Sequence, residues 1–315
     1  DWKLLKRQNH NHLKKTFYSN GKLLITGEYL VLDGAKALAL PTKFGQDLVV
    51  ENGEHKTIYW KSFDKDGTVW FEENITFSEI TDNTKTENRL EKNTLITILH
   101  EAYLLNPDFI NASDGYIITT NLTFPKFWGL GTSSTLINNI AQWLQIDAFE
   151  LLKNSFGGSG YDIACAQNDT AIFYQLIDGK PTVEQIDFKP ECSSNIYFVY
   201  LNKKQSSKNA IATYYKKQKN LDLIIPEIEK INNSIISNST FENFSDVLQK
   251  HENIMSDVLK EPTVKASLFP DFSGPIKSLG AWGGDFVMVI SEENPTNYFK
   301  GKGFETVLNY EEMIL

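Results

Sequence analysis

The order of local patterns along the chain predicts a mixed α/β (α+β) protein. Runs rich in β-branched and aromatic residues, bounded by Gly and Asp-Gly, alternate with stretches whose apolar residues recur at helical spacing. A glycine-rich turn joins one such run to one such stretch. A helical bundle would lack the first pattern and an all-β sandwich the second.

Residues 1–16 are polar and basic, with Lys3, Lys6, Arg7, Lys14 and Lys15. They lack the apolar centre of a signal peptide and read as a flexible extension or an expression remnant. Ordered structure is expected from Phe17. The segment from Lys22 reads as a strand, a turn at Gly27, a second short strand and a turn at Asp33-Gly34. Further short strands are expected at 37–41 and 47–51, then a hairpin at 57–60 and 69–71. A helix is expected over 88–105 and a strand over 115–122. After the glycine-rich turn, Leu136, Ile137, Ile140, Ala141 and Leu144 mark one face of a helix. Asp147, with Glu150 three residues on, starts a short helix that ends at Phe156-Gly157-Gly158. Strands are expected at 171–176, 195–201 and 286–290, and helices at 210–218, 221–237 and 244–259. Gly, two prolines and mixed charge in 179–192 mark a boundary between domains 17–188 and 189–315.

At 315 residues the chain is long enough for one large or two ordinary domains. Its 41% hydrophobic and 23% charged residues are those of a globular protein, not a disordered one. A net charge of −9 argues against nucleic-acid or anionic-membrane partners, while leaving room for a locally basic pocket. No apolar run is long enough for a membrane helix. Cys165 and Cys192 have no metal-ligand spacing, and two free thiols suit the cytoplasm.

Five constellations could carry chemistry. Pro125-Lys-Phe-Trp-Gly129-Leu-Gly131-Thr132-Ser133-Ser134 is a flexible turn before a helix, whose free N–H groups and hydroxyls suit a phosphate. It is neither a Walker A loop nor a dinucleotide fingerprint, and an ordinary tight turn is the alternative. Asp162 follows Gly157-Gly158-Ser159-Gly160-Tyr161; it could take a proton from a hydroxyl, or cap a helix. Lys22 could neutralise a transferred phosphoryl group, or lie solvated at a strand edge. Gly280-Ala-Trp-Gly283-Gly284-Asp285 could form an anion nest, or a plain turn. Lys203, Lys204, Ser206, Ser207 and Lys208 could meet an anion, or be a solvated loop.

Taken in order, Lys22-Leu-Leu-Ile-Thr-Gly-Glu28, Gly129-Leu-Gly-Thr-Ser-Ser134, Gly158-Ser-Gly-Tyr-Asp162 and Gly280-Ala-Trp-Gly-Gly284 resemble the motifs of the GHMP kinase superfamily. The resemblance runs from about Phe17 to Ile290. It implies a two-lobed fold, with an N-terminal lobe like the second domain of ribosomal protein S5 and a ferredoxin-like C-terminal lobe. It also implies ATP and Mg2+ as cofactors. Pro125, Gly129, Leu130, Gly131, Thr132, Ser133 and Ser134 would hold the nucleotide, with Ser133 facing the metal. Asp162 and Lys22 would be catalytic. Glu28, Tyr29, Ser159, Gly160, Ser206, Lys208, Gly283, Gly284 and Asp285 would meet the substrate.

Local details look like phosphomevalonate kinase, with mevalonate kinase the nearest rival and a mevalonate-diphosphate-decarboxylase-like enzyme or a non-catalytic metabolite binder as alternatives. A homodimer is left open. The chain departs from the family pattern in four places. Ser19-Asn20 replaces Ala-Pro, Tyr29 stands where mevalonate and sugar kinases have histidine, and Trp282 interrupts the last glycine cluster. Leu151, beside Glu150, stands where mevalonate kinases carry a magnesium-binding glutamate.

Overall fold

The structure, a computed structural model, describes residues 14–217 and 220–315. Lys3, Lys6, Arg7 and most of the expected extension lie outside these residues, as does Gln218 at the end of one expected helix.

The strands are β1 (Lys15–Leu24), β2 (Ala37–Asn52), β3 (Thr57–Phe63), β4 (Val69–Thr76), β5 (Gly115–Leu122), β6 (Ala171–Ile177), β7 (Lys180–Ile186), β8 (Ile196–Tyr200), β9 (Ile276–Ser278), β10 (Phe286–Ile290) and β11 (Val307–Asn309). The helices are α1 (Phe77–Thr81), α2 (Leu90–Leu105), α3 (Asp108–Asn111), α4 (Thr132–Leu144), α5 (Ala148–Ser155), α6 (Tyr161–Ala166), α7 (Ser207–Tyr215), α8 (Leu221–Ser237), α9 (Phe241–Leu259), α10 (Val264–Leu268), α11 (Thr296–Gly301) and α12 (Tyr310–Met313). The mixed α/β expectation holds.

The chain forms two compact units, each made of three chain segments. The first comprises Asp1–Ser19, Gln46–Thr123 and Leu136–Gly157; the second comprises Asn20–Gly45, Phe124–Thr135 and Gly158–Leu315. The single cut at 188/189 read from the sequence coincides with none of these boundaries.

In the first unit β3 pairs antiparallel with β4 and parallel with β5, and β5 pairs antiparallel with the second half of β2. Helix α2 buries Leu95, Ile98, Leu99 and Ala102 of the stripe its spacing predicts and packs on α5, while Leu90, the first residue of that stripe, is exposed. Asp147 caps α5 as expected, its carboxylate accepting from the Phe149 and Glu150 N–H groups.

In the second unit the first half of β2 pairs with β6, and β6 with β7. A separate antiparallel sheet has the order β11-β8-β10-β9. Every residue of β10 is buried, and Val199, Val264, Phe269, Phe272, Ile276, Val287 and Phe299 form a core around it. A run buried on both faces shows no alternation, as its continuous apolar sequence implies.

Several local expectations are corrected. Residues 37–52 form one strand instead of two. Leu30–Asp33 is a 3-10 turn instead of a strand, because Tyr29 and Gly34 on either side both have positive φ, 61° and 90°. The expected boundary stretch contains strand β7, which is exposed along almost its whole length and therefore carries no apolar period. The short elements α1, α3, α10, α11, α12, β9 and β11 were not expected. Among the described residues, no helix is long and apolar enough to cross a membrane.

Candidate active site

Three segments of the second unit, far apart in sequence, meet at Lys22. The first is the end of β1. The second is the turn from Pro125, where residues Lys126–Trp128 make one 3-10 turn closed by the Trp128 N–H on the Pro125 carbonyl at 2.9 Å. The Trp128 ring is buried edge-on against Phe44 and Phe286. These ring contacts fix the turn that follows.

Gly129 has φ 72°, and a Cβ there would lie 2.4 Å from the Asp285 carboxyl carbon. Both the conformation and the close approach therefore require glycine. The Lys22 N–H donates to the Leu130 carbonyl at 3.0 Å, joining β1 to the turn. Helix α4 begins at Thr132 and runs for 13 residues. Its first N–H groups have no intrahelical acceptor and carry the positive end of the helix dipole.

The three expected hydroxyls differ. The Thr132 Oγ1 atom is buried with no hydrogen-bond partner. Ser133 is half-buried. Ser134 corrects the expectation: it is buried, and its hydroxyl donates to the Gly131 carbonyl at 3.0 Å. That makes Ser134 a brace for the turn more than a free ligand.

The third segment is the start of α6. Gly160, at φ 94°, precedes Tyr161 and Asp162. The Tyr174 hydroxyl donates to the Ser159 carbonyl and holds this bend. Asp162 does not cap the helix; it lies in the first turn, and the cap position is Gly160. The Lys22 Nζ atom stands 3.9 Å from Asp162 Oδ1 and donates to the Gly129 carbonyl at 3.4 Å. Asp162 Oδ1 is buried and accepts no hydrogen bond. A buried carboxylate oxygen without a donor is costly unless a ligand hydroxyl completes it.

The last glycine cluster comes from the same unit. Asp285 has φ 52°. Its N–H donates to the Lys203 carbonyl at 2.7 Å, and its carboxylate accepts from the Gln205 N–H at 3.3 Å. Burial raises its titration, with Lys22 and then Lys204 pulling the other way. A Cβ on Gly284 would lie 2.1 Å from the Gln205 side chain, so glycine is needed for that approach. Gly283 lies beside the same glutamine. A cavity is lined by Lys22, Gly129, Gly280 and Asp285, with Trp128 and Phe286 at its base.

Of the basic cluster, Lys204 is the residue brought here: its Nζ donates to the Lys126 carbonyl at 3.4 Å. Partial withdrawal from water, and then Lys126 and Lys22, lower its titration against the pull of Asp285. The residues expected there play other parts. The Ser206 hydroxyl caps α7 by accepting from the Asn209 N–H, and Lys208 is exposed on that helix.

Glu28 is 4% exposed and ion-paired with Lys277, itself 2% exposed. His251 and Glu252, both at 0%, complete a buried cluster. His251 Nε2 accepts from the Gly27 N–H at 2.9 Å and stands 3.4 Å from Glu28. Glu252 accepts from the Ser278 N–H at 3.0 Å and from the Ser278 hydroxyl at 2.8 Å. Burial raises Glu28 despite Lys277, and burial holds His251 well below the usual histidine range. One Glu28 oxygen accepts from Lys277, and the other, Oε2, is buried with no hydrogen-bond partner.

Beside it, Tyr29 accepts from the Trp282 N–H at 2.8 Å and stacks on Tyr214 at 5.5 Å. Burial pushes its phenol up to about 12, so it keeps its proton. The Trp282 indole donates to the Pro262 carbonyl at 3.1 Å.

The residues present fit a nucleotide: an unpartnered Thr132 hydroxyl and the free end of α4 suit phosphate oxygens. For a divalent cation the fit is partial. Among the described residues no group of three His, Cys, Asp or Glu could hold a metal. An ion here would rest on Ser133, water and the nucleotide itself. Leu151 is fully buried in the first unit and Glu150 is exposed on α5.

No protein-family model matches the chain, and no curated protein matches it by sequence. Solved structures do match. The Methanococcus jannaschii mevalonate kinase aligns over 96% of this chain and 98% of its own, at 18% identity and a TM-score of 0.69. The Streptococcus pneumoniae phosphomevalonate kinase, in complex with phosphomevalonate and AMPPNP, aligns over 94% and 99%, at 14% identity and 0.67. The Lactococcus lactis galactokinase, complexed with galactose, aligns over 92% and 88%, at 12% identity and 0.63. The chain therefore has the fold of the GHMP kinases.

Proposed function

We propose that this chain is an ATP-dependent small-molecule kinase whose acceptor is phosphomevalonate or mevalonate. The observation that carries the reading is the meeting of Lys22, the α4 N-terminus and the unpartnered Asp162 oxygen. ATP supplies the phosphoryl group, and Mg2+ would offset its charge. Asp162 accepts the proton of the acceptor hydroxyl as that oxygen bonds to the γ-phosphorus and the bond from that phosphorus to the bridging oxygen breaks, releasing ADP. Lys22 and the first N–H groups of α4 stabilise charge on the phosphoryl oxygens, where positioning and electrostatics supply most of the rate. Buried Trp128 and Leu130 fix the turn, so the donors are set before substrate arrives.

Lys204, crowded by Lys126 and Lys22, supports an anionic acceptor. We take Gly283, Gly284 and Asp285 as its surroundings, with Ser159 and Gly160 as the wall that presents Asp162.

The test is ADP release with Mg2+ and a panel of mevalonate, phosphomevalonate, mevalonate diphosphate, homoserine and galactose, with carbon dioxide followed in parallel. Turnover of one of the first two without carbon dioxide is expected. Asp162→Asn should lower kcat by about 10²–10⁴-fold with the fold intact. Wild-type kcat in that variant would remove Asp162 from the chemistry. Nucleotide binding without turnover of any alcohol would favour a binding protein.

A further inference from the structure

We infer that Tyr161 is a positioning residue for Lys22: its ring face seats the ammonium between the Gly129 carbonyl and Asp162. The inference rests on the kinase reading of the same site.

The Lys22 Nζ atom stands 5.4 Å from the Tyr161 ring centroid. That is inside the range of about 6 Å over which a ring face attracts a cation. Its two oxygen neighbours are farther away than strong charge-assisted partners, at 3.4 Å and 3.9 Å. No short bond therefore fixes an ammonium carried on a flexible four-carbon stem. A close carboxylate would fix it but would also spend the positive charge that a transferred phosphoryl group needs. A ring face holds the cation and leaves its N–H donors for phosphate oxygens.

Tyr161 is well placed for this. It is the first residue of α6, directly after Gly160 and directly before Asp162. One backbone placement thus sets both the ring under Lys22 and the carboxylate beside it. Burial first, then the Asp162 charge and a hydrogen bond from the phenol to that carboxylate, push the phenol well up, so the ring stays neutral.

The discriminating experiment replaces Tyr161 by Phe and by mono-, di- and trifluorinated phenylalanines. This series keeps the ring's shape and weakens its negative face step by step. Tyr161→Phe also loses the phenol's bond to Asp162, so its kcat is the reference for the fluorinated members. The trifluoro variant should lose about 10–30-fold in kcat, with the KM for ATP nearly unchanged. A flat kcat across the series overturns the inference.

Asp162→Asn runs alongside. If it retains activity the kinase reading fails; if it is dead while the fluorinated series is flat, only the role of Tyr161 fails. Crystal structures of the Phe and Tyr161→Leu variants give a readout free of turnover. Lys22 should keep its place over Phe and leave it over Leu, and an unmoved ammonium over Leu overturns the inference.

Discussion

Glu252 offers a direct measurement of what the buried cluster costs. An ordinary glutamate titrates at 4.5, and Glu252 is raised to about 7. Burial is the main cause and Glu28 adds to it; Lys277 and the two bonds from Ser278 oppose it. His251, the next residue on α9, is neutral in the fold. Below 4.5 the carboxyl holds its proton in both the folded and unfolded chain. Between 4.5 and about 7 the unfolded chain loses the proton and the folded chain keeps it. Stability therefore falls as pH rises through this window and levels off above it.

The gap, at about 1.4 kcal/mol per pH unit, comes to about 3 kcal/mol. Glu252→Gln imitates the protonated form: its oxygen can accept from the Ser278 N–H and its amide can donate to the Ser278 hydroxyl. Urea unfolding of both proteins, followed by tryptophan fluorescence from pH 4.5 to 8.5, reads this group together with its coupling to Glu28 and Lys277. The variant should gain about 3 kcal/mol relative to wild type across the range. Parallel profiles would refute the reasoning, and a variant that loses ground with rising pH would reverse its sign.

Two further outcomes are expected. Lys277→Met leaves Glu28 buried without its cation and should cost about 3–5 kcal/mol in urea unfolding, much of it restored by adding Glu28→Gln. Gly129→Ala forces a Cβ against Asp285 at positive φ and should cost about 1–3 kcal/mol in thermal unfolding. Adding Asp285→Gly should return the steric part.

The order of strands and helices was legible because most core elements carry either a helical period, as α2 does, or a continuous apolar run, as β10 does. The turn from Pro125 and the approach of Asp162 were legible from glycines next to hydroxyls and a carboxylate. What escaped detection had no local signal. Strand β7 is exposed on both faces, so nothing in it alternates. His251 and Glu252 lie among the polar residues of a helix, and nothing in the sequence singles them out. Only tertiary contact shows them buried beside Glu28, more than two hundred residues earlier in the chain. Glu28 was placed at the substrate by the family resemblance alone, which carries no information on its partner. Lys277 pairs with it. Among the lysines after β8, spacing could not distinguish Lys204 from Lys208; the contact of Lys204 with the Lys126 carbonyl does so.

The second unit is assembled from three separate lengths of chain, and each delivers one part of the site: Lys22 from the first, the turn from the second, Asp162 and Asp285 from the third. The site therefore has a time of birth as well as a place. During synthesis neither Lys22 nor the turn can meet Asp285 until the chain has been made past that residue, and closing such long loops is slow. Until then the residues that would hold a nucleotide are present but not convergent. No N-terminal fragment ending before Asp285 carries the complete site.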